Sequence, residues 1–124
     1  MDQQSYRKLE AWQKAMDAYD AVYVLTRGFP ADERFGLTAQ ILRAALSVPS
    51  NIAEGYGRHH RKEYLHHLYM ARGSLMETET QLIAAVRNSV CERDGAEGVW
   101  QKLQESGRLL NGLIRSLQPT TPDP

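Results

Sequence analysis

The sequence holds a single cysteine, Cys91, so no disulfide can form within the chain. That usage fits a reducing compartment. No apolar run approaches the ~18–20 residues that a bilayer-spanning helix needs. The opening Met1-Asp-Gln-Gln-Ser-Tyr-Arg7 lacks the apolar core of a secretion signal. A soluble, cytoplasmic protein with no membrane partner is therefore expected. Fifteen Lys and Arg balance fifteen Asp and Glu. Zero net charge excludes a global field that would draw in nucleic acid, so any such site must be a local patch. Strand signals are almost absent, and four of the five prolines lie outside helical patterns. At 124 residues the chain is one domain with a single core.

What is present is helical periodicity. A first helix is expected from Tyr6 to Arg27. Its main seam is Leu9, Trp12, Met16, Tyr19, Tyr23 and Thr26, with Ala15, Ala18, Val22 and Leu25 as a neighbouring stripe. Gly28-Phe29-Pro30 ends it. A second helix is expected from Glu33 to Gly57, capped by Asp32 and kinked at Pro49, because proline removes a backbone donor and crowds the preceding turn. A third helix is expected from Arg61 to Val90. Tyr64, Leu68, Ala71, Leu75, Thr78, Leu82 and Ala85 form one seam. Tyr69, Met76, Ile83 and Val90 form another. Two seams require two partners, the bundle core and a neighbouring subunit. Gly73 within this helix suggests a close backbone approach.

Cys91 to Gly95 reads as a turn, and a fourth helix is expected from Ala96 to Leu117. Its seam is Val99, Leu103, Ser106, Leu110, Leu113 and Leu117; Gly107 and Gly112 are tolerable where a neighbour packs closely. Short connections between long helices predict an all-α, antiparallel up-down four-helix bundle over residues 1–118. The Pro-rich residues 119–124 are expected to form a disordered tail.

The most informative segment lies around Pro49. Arg43, Ser47, Ser50 or Asn51, Glu54 and Arg58 recur at helical spacing and share one sector of the second helix. Such a polar stripe has two readings. It is a network that fixes the second helix against the third, with Glu77 or Glu79 pairing with Arg43. Alternatively, it shapes a subunit interface or a ligand contact.

Arg58-His59-His60-Arg61-Lys62 is the strongest local positive patch, flanked by Tyr56 and Tyr64. Basic side chains with aromatics nearby suit phosphate contact and base stacking. The competing reading is a solvated junction between helices. Residues 43–72 carry five Arg or Lys against two Glu, plus all four histidines; residues 73–124 carry seven acids against five bases. Arg43 or Arg72 would join the patch if exposed.

His60, Glu63 and His67 fall on one helical face, and Glu63-Tyr-Leu-His66 is a Glu-x-x-His triplet without a second copy. Metal-binding bundles use paired triplets, so no metal or other cofactor is expected. Gly55-x-Gly57 is too short for a phosphate loop. Cys91 has no evident activating base, and no nucleophile–base order suggests an enzyme.

Ser47-Val-Pro-Ser-Asn-Ile-Ala-Glu-Gly-Tyr-Gly-Arg58 resembles the signature of the S23, or 23S rRNA intervening-sequence, protein family. Leu9-Glu-Ala-Trp-Gln-Lys-Ala15 is similar to that family's first-helix opening. Phe29-Pro30, Gly36-Leu-Thr-Ala-Gln-Ile41 and Arg43-Ala-Ala45 are similar to the start of its second helix. Ala71-Arg-Gly-Ser-Leu-Met-Glu-Thr-Glu79 matches a further segment. The resemblance covers about residues 8–90 and implies an antiparallel four-helix bundle that assembles into a homopentameric ring, without catalytic activity. Members are encoded within intervening sequences of bacterial large-subunit rRNA genes, or stand alone. A related branch serves diversity-generating retroelements, where a basic pentamer engages nucleic acid and reverse transcriptase. This chain departs from the family pattern at Asn88 to Gly95, in its fourth helix, and in its neutral charge.

Two functions follow as expectations. In the first, a non-catalytic homo-oligomer binds RNA or DNA through Arg58, His59, His60, Arg61 and Lys62. In the second, the ring is a protein-interaction scaffold held together by Tyr69, Met76 and Ile83, with a partner protein on its rim.

Overall fold

Four α-helices and two short 3-10 turns make up the secondary structure of the computed structural model, which describes residues 5–118; no strand occurs among them. The helices are α1 (Glu10–Thr26), α2 (Leu37–Tyr56), α3 (Arg61–Arg87) and α4 (Arg93–Leu117). Each helix contacts two others: α2 packs on α3 and α1, and α4 packs on α1 and α3. The residues expected to form a tail, 119–124, lie outside the described residues.

The core is built from four stripes of mostly small and aliphatic side chains. α3 contributes Leu68, Ala71, Leu75, Leu82 and Ala85, all buried, with Thr78 among them. That is the seam read from its periodicity, with Tyr64 half-buried at its start. α1 differs from expectation. Its core face is Ala11, Ala15, Ala18, Val22 and Thr26. Of the expected main seam only Thr26 is buried; Leu9, Trp12, Met16 and Tyr19 are half-buried and Tyr23 is exposed. Small side chains bring α1 close to its neighbours, and the large aromatics cover the edges of that contact instead. On α4, Ile114 takes the buried position assigned to Leu113.

Helix starts also shift. Asp32 does not cap α2: it lies in a 3-10 turn (Ala31–Glu33), and Gly36 precedes the helix without a side-chain cap. Glu33 serves instead, its Oε1 accepting from the Leu37 N–H at 3.4 Å. α4 begins at Arg93, so Gly95 is inside it rather than in a turn. The preceding turn contains Ser89 at φ 59°, a left-handed backbone conformation. α2 continues through Pro49, whose ring is fully buried.

Candidate nucleic-acid interface and polar seam

The stripe around Pro49 divides into two parts. Ser47, Asn51 and Glu54 face α3. The Ser47 and Ser74 hydroxyls are 2.8 Å apart. The Asn51 Nδ2 donates to the Ser47 carbonyl at 2.9 Å and to its Oγ at 3.1 Å. A carbonyl only accepts, which fixes the Asn51 amide and turns its Oδ1 toward His67. The His67 Nδ1, 3.2 Å away, therefore carries the proton. Glu54 Oε2 lies 4.0 Å from the same nitrogen, and Glu54 Oε1 accepts from Arg58 Nη2 at 3.1 Å. Hydrogen-bonded neighbours thus run from Ser74 through Ser47 and Asn51 to His67, with Asn51 itself buried.

Arg43 lies outside this seam. It is exposed and pairs with neither Glu77 nor Glu79. Glu77 accepts from Gln81 at 3.5 Å, one turn along its own helix, and Glu79 accepts from Gln104 of α4 at 2.6 Å. The expected Arg43 ion pair is corrected on that ground. The partners of Asn51 and Ser47 on α3 are His67 and Ser74, which the spacing of the α2 stripe alone does not reveal, although their seven-residue separation matches two helical turns.

The seam ends at Gly55, where the two helices approach closely. A Cβ built there would lie 2.8 Å from His67 Cβ and 3.0 Å from the Tyr64 ring. Gly107 is similar, with Leu75 Cδ2 at 3.0 Å. Gly73 is the reverse of what was expected: nothing lies within 4 Å of its added Cβ, so no backbone packs there within the chain. Gly112 likewise meets only its own helix's Arg115 side chain, at 3.9 Å.

Arg58, His59, His60, Arg61 and Lys62 are all exposed, in the link between α2 and α3 and the first turn of α3. His60 occupies the N-cap position of α3 but makes no side-chain cap bond. Arg61 and Lys62 follow in the first turn, where the helix dipole disfavours cations. Tyr56 and Tyr64 stand beside this link edge to face, with centroids 6.2 Å apart. Burial, and secondarily the neighbouring Tyr56, pushes the Tyr64 hydroxyl above its ordinary range. Arg72 is not available to the patch: it donates to Asn111 Oδ1 at 3.3 Å and lies over the Tyr69 ring. Arg43 is fifteen residues before Arg58 on the same chain, about 22 Å along a helix axis.

No group of three His, Cys, Asp or Glu side chains suited to a metal comes together among the described residues, so His60, Glu63 and His67 do not converge. Burial raises the Cys91 thiol above its usual range. No described helix is long and apolar enough to cross a membrane. On the outer face of α3, Tyr69, Met76 and Ile83 are 41%, 57% and 47% exposed.

A solved structure of similar fold is a protein of unknown function from the S23 ribosomal protein family of Bacteroides thetaiotaomicron VPI-5482. It superposes with a TM-score of 0.76 at 25% identity, over 85% of this chain and 98% of that one. No curated protein matches the chain. A match to the family described as 23S rRNA-intervening sequence protein spans residues 7–112. The chain belongs to the 23S rRNA-intervening sequence protein family.

Proposed function

We propose that this protein is a non-catalytic, self-associating four-helix bundle that binds RNA or DNA phosphates at the α2–α3 end. The carrying observation is the placement of Arg61 and Lys62. Both are exposed in the first turn of a 27-residue helix whose N-cap makes no side-chain bond. Each cation there sacrifices about 0.3–1 kcal/mol of helix stability. Stability alone favours Ser or Asp at position 60 and acids after it. Phosphate contact explains why bases stand there, and Arg58, His59 and His60 extend the same surface.

The reading includes an antiparallel up-down arrangement, a bend of α2 at Pro49 and assembly into a homopentamer in the cytoplasm, with no cofactor. The pairs Ser47–Ser74 and Asn51–His67, and Arg72–Asn111 and Glu79–Gln104, support the antiparallel register, because numbers fall on one helix as they rise on the other. Self-association is supported by the exposed Tyr69, Met76 and Ile83 on α3. The same face favours the second reading, a scaffold ring for a partner protein.

Titrating binding of a short structured RNA against salt separates the two. Arg61→Glu with Lys62→Glu weakens binding and flattens the logarithmic salt slope by roughly one to two under the nucleic-acid reading. Unchanged affinity and slope remove the patch from consideration.

A further inference from the structure

We propose that Phe35 of one copy seats in the groove between α3 and α4 of a second copy. The inference rests on the self-association above and names the contact that makes it. Phe35 is 88% exposed, the most exposed large apolar side chain among the described residues. It stands in the connection between α1 and α2, with the Arg34 guanidinium 5.3 Å from its ring centroid. The groove encloses about 400 Å³ and is walled by Ile83, Val86 and Trp100, with Arg87, Arg93 and Glu97 also lining it.

Charge fits the same pairing. Directly beside Phe35 stand Asp32, Glu33 and Arg34, two acids and one base, while Arg27 lies at the far end of the connection. The groove presents Arg87, Arg93 and Glu97, two bases and one acid. None of these six forms an ion pair among the described residues. Ile83 belongs both to the groove and to the exposed outer face of α3, so the two make one continuous surface. Knob and groove sit on different elements. Their contact is therefore heterologous: each copy offers its knob to the next, and a suitable rotation closes the series into a ring.

The test uses full-length chains carrying Cys91→Ser and one new cysteine beside the knob or in the groove, Arg34→Cys or Ile83→Cys, treated with a short bis-maleimide separately and mixed. The expected result is a covalent dimer in the mixture only. Phe35→Ala should raise the dissociation constant about 30-fold, as loss of an interface anchor does. Because Phe35 is exposed, the variant keeps its helical circular dichroism. A wild-type protein that associates, yet gives no mixed cross-link and is unaffected by Phe35→Ala, overturns this contact and leaves self-association standing. Cross-linking of Arg34→Cys chains to each other also overturns it. A wild-type monomer overturns both this contact and the self-association reading.

Discussion

A Cβ added at Gly55 would lie 2.8 Å from the Cβ of His67, closer than two such carbons can stand. Glycine at this position lets α2 and α3 meet where the Asn51–His67 hydrogen bond forms. Gly55→Ala should therefore destabilise the fold by about 1–3 kcal/mol through overpacking. Gly73→Ala, in open space on α3, should stabilise it by about 0.5–1 kcal/mol through helix propensity. Urea unfolding of the two variants checks both signs; equal effects would contradict the close approach.

Asn51 satisfies Ser47 with its amide and His67 with its carbonyl oxygen. Asn51→Ala leaves the His67 N–H without that acceptor in a mostly buried position, at a cost of about 1–3 kcal/mol. A loss below roughly 0.5 kcal/mol, no more than an ordinary surface change, would show that the seam contributes little.

Arg61→Glu with Lys62→Glu should raise thermal stability while lowering nucleic-acid affinity, because acids suit the first turn of α3 and bases do not. His60→Ser should add to stability by supplying the missing cap ahead of Glu63. Opposed changes in stability and binding are the signature of residues kept for contact. Variants that lose stability would mark the patch as structural.

Tyr64 titrates above its ordinary value of 10.0 in the folded chain, chiefly through burial. As pH rises, the unfolded chain ionises this hydroxyl first. The tyrosine's contribution is thus fully present below the unfolded value and is lost as pH passes through the folded one. Stability should fall above about pH 10, and Tyr64→Phe should remove part of that fall. The Cys91 thiol, also raised by burial, should alkylate with iodoacetamide more slowly at pH 8 than a free thiol.

The α3 core was legible in the sequence because Leu68, Ala71, Leu75, Leu82 and Ala85 carry the period with large and small apolar residues on one face. The α1 core was not. Its buried stripe is mostly alanine, and hydrophobicity alone ranks Trp12, Tyr19 and Tyr23 above it. The polar stripe on α2 was visible from spacing, but its partners depend on how far α3 is rotated about its axis, which a single-helix pattern does not encode. Spacing alone therefore offers Glu77 or Glu79 to Arg43, while Ser74 and His67 hold the other side of the seam. The groove beside Trp100 had no signal, because it is formed by two helices whose residues are far apart along the chain.

The most direct measurement is light-scattering mass of the purified protein, alone and with a short structured RNA, in low and moderate salt. The predicted result is a pentamer that gains the mass of RNA at low salt and loses it as salt rises. A pentamer that stays free of RNA at low salt would contradict the nucleic-acid reading and leave the scaffold, and a monomer would contradict the assembly itself.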